Sequence, residues 1–426
     1  MPIFDQGYQH WQGPLSGHAW RWLAITRNGV RVQMKNRILR LLLLASWIPA
    51  LALVGTVALW GLVEQHSQSV IALAQNLLPA GLVQQPQDYR VAVWTLSYSF
   101  FFRVELFCIM LLVVIAGPGL ISRDLRFNAL PLYFARPLTR LDYFLGKLGV
   151  IGALVAGVAV GPALFAYVIG VCFSGSLGVI RDTYPLLLAS IAFGLVIALS
   201  VGTLMLALSS LTRRSLYVGI AWAGLWVISG SVGGILTEVH REGLRHGAMR
   251  EALERWARDN PPPPGAKMRG LYPMLQYDQR AGKVRLVGVQ PGREAEADRW
   301  LFGWQQAQGQ AWAKGDAELS GVAATNWRPM CSYVSNLERI GDQLLETDRA
   351  WVMIGKAVEA PRRMMGGRFG PLGRLGQAPE PVNERRLADQ FVLQYPWQWS
   401  AGLLAGLLGL STWTLTRRIK SLDRLR

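Results

Sequence analysis

The run Ser190–Leu211, SIAFGLVIALSVGTLMLALSSL, carries no charged residue. About 20 apolar residues cross the hydrocarbon core of a bilayer as a helix, so this stretch alone decides for a membrane fold. A second run, Leu39–Val63, LRLLLLASWIPALALVGTVALWGLV, has only Arg40 near its start. Yet the 426-residue chain has a formal charge of +17. Its cations are gathered between the apolar runs rather than mixed into them. That segregation reads as an all-α polytopic membrane protein and argues against a soluble basic one.

Six spans are expected: Ile38–Val63, Ser97–Ile121, Phe144–Phe173, Tyr184–Leu211, Leu216–Val239 and Trp399–Thr416. Basic residues lead into the first span (Arg27, Arg31, Lys35, Arg37, Arg40). They also follow the second (Arg123, Arg126, Arg136, Arg140), the fourth (Arg213, Arg214) and the sixth (Arg417, Arg418, Lys420, Arg424, Arg426). The loop after the third has only Arg181 beside Asp182. Cytoplasmic loops collect Lys and Arg, so both termini are expected in the cytosol. Segment 1–37 is then a cytosolic lead. Within it His18–Arg37 mixes Trp20, Trp22, Ile25, Val30 and Val32 with cations, as a helix lying in the headgroup layer would. A basic tail broken at Asn28-Gly29 is the plainer reading. No cleavable signal is expected, because the first span lies far from the N-terminus and is too long for one. Segment 38–239 holds spans one to five. Segment 240–398 is polar, with a tetraproline at Pro261–Pro264, and span counting makes it an extracytoplasmic insertion. It should hold a helix over His240–Asp259, a hairpin around Ala281-Gly282, and a helix striped by Val334, Leu337, Ile340, Leu344 and Leu345. Segment 399–426 is the last span with its basic tail.

Reacting groups are scarce. No histidine lies in a span, HREGLRH lacks the zinc-protease spacing, and Gly146-Lys147 lacks the upstream glycine of a phosphate-binding loop. Neither an enzyme centre, a metal site nor a cofactor is expected. Cys172 and Cys331 could pair only if both lie outside the cytosol. Arg103 and Glu105 are the costly intramembrane charges of the second span. Two positions apart on a helix, they cannot neutralise each other. Glu105 is a candidate pathway residue, with an interhelical hydrogen bond as the alternative. Gly152, Gly157, Gly161, Ala153 and Ala156 give the third span a small-residue face for close helix contact. Pro49 and Pro162 are candidate kinks.

The linker ISRDLRFNALPLYFARPLTRLDYFLGK, Ile121–Lys147, is more patterned than a connector needs to be. Gly117-Pro118-Gly119 before it should end or bend the second span. Leu125, Phe127, Leu130, Leu132 and Phe134 then alternate with cations, as in a short amphipathic element, until Arg136-Pro137 stops it. Thr139 or Asp142 can cap the third span. A positive anchor without any partner is the competing reading of this loop.

The run GPGLISRDLRFNALPLYFARPLTRLDYFLGKLGVIGAL resembles the linker of type-2 ABC exporter permeases. Arg136-Pro137-Leu138-Thr139-Arg140 and Gly146-Lys147 match closely, Asp124 stands where that family usually has Glu, and Asn128-Ala129-Leu130 replaces Gly-Thr-Leu. The terminal span with its basic tail is similar too. The resemblance implies a coupling loop over 122–143. Arg123, Asp124, Leu125, Arg126, Leu130, Leu132, Phe134, Arg136 and Pro137 would dock there on a separate ATP-binding subunit. It also implies pairing with a second permease chain, identical or not, in the plasma membrane, a bacterial inner membrane. ATP hydrolysis would belong to the partner, and no nucleic acid is expected. From the residues alone two other classes compete. One is a membrane-anchored scaffold or sensor working through its insertion; the other is an ion-coupled carrier built on Glu105.

Overall fold

The computed structural model describes residues 20–78, 80–134, 138–278, 283–355 and 394–423. They are mostly helical. Helix α1 (Arg21–Gln33) is followed by α2 (Arg37–Ala45) and α3 (Trp47–Glu64), short α4 (Gln68–Leu77) and α5 (Ala80–Gln84), and the long α6 (Pro86–Ala116). Then come α7 (Gly119–Arg126), α8 (Leu130–Phe134), and α9 (Arg140–Val155), which runs through a π turn (Ala156–Val160) into α10 (Gly161–Ser174). Two long helices follow, α11 (Gly178–Leu211) and α12 (Ser215–Asp259). After them β1 (Met268–Arg269) pairs antiparallel with β2 (Tyr272–Pro273), and β3 (Leu275–Asp278) with β4 (Lys283–Leu286). Last come α13 (Glu294–Ala323), a 3-10 turn (Arg328–Cys331), α14 (Tyr333–Leu345) and α15 (Trp397–Asp423).

Among the described residues, five helical stretches are long and apolar enough to cross a membrane: Arg37–Glu64, Pro86–Arg126, Arg140–Ser174, Gly178–Leu211 and Ser215–Asp259. The chain is therefore read as a multi-pass membrane protein. The sixth expected span does form a helix, α15, but its Gly, Ser, Thr and Trp content leaves it outside that group. The edges move as well. The second long helix starts at Pro86 rather than Ser97, because Arg90 is buried in an ion cluster and is not a loop cation. Its Nε meets Glu64 at 2.8 Å and its Nη1 meets Asp182 at 2.9 Å, tying α3, α6 and α11 together. Arg181 and Asp182, expected in a loop, lie in the first turns of α11.

The expected break at Val239–His240 does not exist, since no proline or capping glycine interrupts the chain there. At 45 residues, α12 is about 67 Å long, more than twice the ~30 Å hydrocarbon thickness. Helix α13 runs back along it: Trp256 packs against Trp300 at 5.4 Å with the ring planes tilted by 57°, and Arg245 lies over Trp312 at 5.1 Å. Small clusters around Leu253 and Ala311, and around Leu286, Leu301 and Trp304, hold this arm together with its ribbons. The expected hairpin forms, pairing Asp278 with Lys283; its turn at Ala281-Gly282 lies outside the described residues.

Helix α14 departs most from the expected insertion. The predicted stripe is present, but it belongs to the main core: Tyr333, Leu337, Ile340 and Leu345 are buried there with residues of α6, α11 and α12. A Cβ on Gly341 would lie 2.5 Å from the Phe193 ring of α11. The cysteines are free thiols.

Helix α1 is continuous through Asn28-Gly29 and is more than a lipid-facing element. Thr26 is buried and donates to the Gly146 carbonyl at 3.0 Å. A Cβ at Gly146 would come within 2.6 Å of Ile25 Cβ, and one at Gly149 within 2.4 Å of Thr26 Oγ1. Together with Gly170, where a Cβ would come within 2.2 Å of Val57 Cγ1 of α3, these glycines let the third span approach its neighbours closely. Gly152 and Gly157, expected in that role, face open space. Pro162 opens α10 directly after the π turn, and Pro49 lies in the first turn of α3.

Candidate functional site

The linker between α6 and α9 is built from its inner side outward. At Gly117-Pro118 the helix ladder is interrupted, as expected. A Cβ on Gly117 would lie 2.3 Å from Met205 Cγ, so glycine brings the junction against α11. Ser209 of α11 splints the break. Its Oγ accepts from the Ile121 and Ser122 amides at 3.1 and 3.0 Å and donates to the Pro118 carbonyl at 2.8 Å. The two amides belong to the first turn of α7, which a helix start otherwise leaves without partners.

The expected single amphipathic element is two helices, α7 and α8, joined at Phe127-Asn128. Asn128 has a left-handed φ of 52°, a conformation that asparagine tolerates better than most residues. Asp124 was expected on the docking face and instead points inward. It accepts from the Tyr143 hydroxyl at 2.7 Å and pairs with Lys147 Nζ at 2.7 Å. The side chains of Asp124 and Lys147 are 16% and 12% exposed, so water weakens this pair little. Lys147 also lies over the Tyr133 and Tyr143 rings at 5.7 and 5.4 Å, and those rings meet edge to face. Burial, and then the Asp124 carboxylate, push the Tyr133 phenol up, so it stays protonated. Both candidate caps act together: Thr139 Oγ1 accepts from the Asp142 amide at 3.1 Å, and Asp142 accepts from the Thr139 amide at 3.0 Å. From the α1 side, Gln33 donates to the Ala116 carbonyl at 2.8 Å.

Leu130 is buried and Leu125 half-buried against the core. That leaves Arg123, Arg126 and Phe127 on the outer face, with Phe127 72% exposed and the Arg126 guanidinium 5.5 Å from its ring. Arg123 also lines a cleft between the α6–α7 junction and the start of α12, beside Pro118, Leu216 and Ile220. The side chains of Leu132 and Phe134, and residues Arg136 and Pro137, lie outside what the structure describes.

Of the residues singled out in the sequence, the fold brings Arg123 and Arg126 to one surface, and Phe127 of the same amphipathic run joins them. It assigns Asp124, Leu125 and Leu130 to the support beneath. Sequence reading gives Lys147 only as part of the family resemblance, and assigns no role to Tyr143, Tyr133 or Ser209. Tyr143 and Lys147 stand four apart, hence on one helix face, and that spacing was the available signal.

Glu105 lies elsewhere. It is fully buried, and neither carboxylate oxygen has a hydrogen-bond partner. Arg103 turns away from it, its Nη2 pairing with Asp342 of α14 at 2.9 Å. Among the described residues no group of three or more His, Cys, Asp or Glu could hold a metal ion. Set against protein-family models, curated proteins and solved structures, the chain has no match.

Proposed function

We propose that this chain is the membrane-spanning subunit of an ATP-driven exporter of the type-2 ABC kind, coupled to a separate ATP-binding subunit through the α7–α8 linker. In this reading α15 completes a set of six spans, both chain ends and the linker face the cytosol of a bacterial cell, and two such subunits flank the pathway. The observation that carries it is the two-sided build of the linker. Asp124, Tyr143, Lys147 and Ser209 lock its inner side, while Arg123, Arg126 and Phe127 stay free on the outer side. A rigid element presenting an aromatic anchor beside a cation suits helix-in-groove recognition. A lever must also be stiff to transmit motion, and the tie from the linker to α1, α9 and α11 supplies that stiffness.

The test is co-purification from membranes with each ATP-binding subunit encoded beside it. Wild type should retain one of them. Arg126→Glu combined with Phe127→Ala should release that subunit while leaving the chain inserted. Retention of the ATPase by the double variant rejects the coupling surface. A native complex without any ATPase rejects the permease reading itself.

The paired α12–α13 arm favours a second reading, a membrane-anchored scaffold or sensor that engages an envelope partner. It predicts that excising the arm abolishes function while loss of the ATPase does not.

A further inference from the structure

Glu105 has no role in the linker or its supports, and its surroundings are unusual for a carboxylate. Successive helix positions turn by about 100°, which puts Tyr98, Phe101, Phe102, Ile109 and Leu112 on its side of α6. All five are buried. Tyr98, two turns earlier on this face, donates to the Ala163 carbonyl of α10 at 2.9 Å. Helix α6 also touches α9 and the π turn. Glu105 is therefore buried on the face of α6 that Tyr98 ties to the third span, and α6 also touches that span's π turn.

The charged and titratable groups around it are engaged elsewhere or lie at the ends of their helices. On α6 itself, Cys108 lies one turn on as a free thiol, and Arg103 is held by Asp342. From α9, Lys147 and Tyr143 are bound to Asp124, and Asp142 caps the helix. Tyr167 of α10 accepts from Thr183. From α3 and α11, Glu64 and Asp182 hold Arg90. Helix α2 offers Arg37 and Arg40 in its first turns, α12 offers Tyr217 in its own, and α14 offers Glu338 and Arg339; none hydrogen-bonds Glu105. An ionised carboxylate enclosed in this way, with neither a cation nor a donor, is far costlier than a neutral acid. A hard metal cation takes roughly six or more oxygen ligands, and one carboxyl among aromatic and aliphatic side chains cannot supply them. A proton needs only the one.

We propose that Glu105 is a proton-binding site within the helix bundle, occupied while α6 and the third span are packed and emptied when they part and water enters. The site does not rest on the identity of the partner subunit, so its failure would leave the coupling surface standing.

The experiment uses the full chain in lipid nanodiscs. Infrared spectra of wild type at neutral pH should show the carbonyl stretch of a protonated carboxylic acid, shifted in heavy water. Glu105→Gln should lose this band and keep the wild-type melting temperature, because glutamine is a neutral near-isostere of the protonated acid. Glu338→Gln should keep the Glu105 band. Unfolding at neutral pH, followed with an indicator dye, should release about one proton more per chain from wild type than from Glu105→Gln, since an exposed glutamate ionises well below pH 7. An unchanged band in Glu105→Gln overturns the proposal, as does equal proton release. Misfolding of Glu105→Gln overturns it too, because it would mean that a charge was being satisfied at this position.

Discussion

The α7–α8 linker and helix α14 approach the same two long helices, α6 and α11, from different parts of the chain. They handle polar groups in opposite ways. In the linker one carboxylate, Asp124, is turned in against Tyr143 and Lys147, and the guanidinium groups of Arg123 and Arg126 stay outside. In α14 the polar groups go inward. Asp342 takes Arg103 and Ser99, Tyr333 meets Ser200 at 2.8 Å, Asn336 accepts from Ser400 at 2.8 Å, and Arg339 donates to the Tyr395 carbonyl at 2.8 Å. Helix α14 has its partners already, within the chain. The linker is finished on one side only. That asymmetry separates a structural element from a presenting one.

The comparison breaks first if α14 proves dispensable. Asp342→Ala strands Arg103 and removes the acceptor of Ser99. Losing one partner of a buried pair costs about 3–5 kcal/mol; Arg103 is 46% exposed, which reduces the expected loss to about 2–4 kcal/mol. Thermal unfolding in detergent measures it. A melting temperature equal to wild type would return α14 to the periphery.

Gly146→Val probes the linker's support. The new side chain must displace Ile25, whose Cβ would lie 2.6 Å from its own, at a cost of about 1–3 kcal/mol for overpacking. Limited proteolysis should cut α1 faster in this variant. Unchanged cleavage would show that α1 is not clamped to α9.

How much of this was legible beforehand depends on where each group's partner lies. The apolar runs announced the long helices, because burial in lipid needs only local composition. Thr139-x-x-Asp142 announced the cap, because both halves lie within one turn. The start of α6 at Pro86 was not legible: Arg90 reads as a loop cation until Glu64 and Asp182 are seen around it. The place of α14 was hidden for a similar reason. Its stripe showed a helix with a buried face, but Asp342 finds Arg103 across 239 positions, and nothing local records that. In the linker, the residues facing outward are readable as cations near an aromatic, whereas the inward turn of Asp124 is not, because its partners Tyr143 and Lys147 lie on the next long helix.

A milder test of α14 is its response to pH. Burial pushes the Glu338 carboxyl up, Arg103 opposes the shift and Asp342 adds to it. A carboxyl held above its unfolded value stabilises the fold fully below the ordinary glutamate range and loses that contribution as pH rises through the raised value. The melting temperature of wild type should therefore fall more steeply from acidic to neutral pH than that of Glu338→Gln. Parallel curves would mean that Glu338 is open to water when α14 is docked.

The smallest expected effect sharpens the comparison most. Arg126→Glu with Phe127→Ala touches only the outer face of the linker, where Phe127 is 72% exposed and the Arg126 guanidinium lies over its ring. Substitutions away from buried features scarcely change folding, so the melting temperature and the proteolysis pattern should match wild type. An exposed apolar side chain beside a cation contributes little to the fold, and a larger contribution must come from outside the chain. If the double variant melts early, the outer face is part of the fold after all, and the linker resembles α14 rather than contrasting with it. If it melts as wild type but no longer retains an ATP-binding subunit, the side left unfinished by this chain is the side that another chain completes.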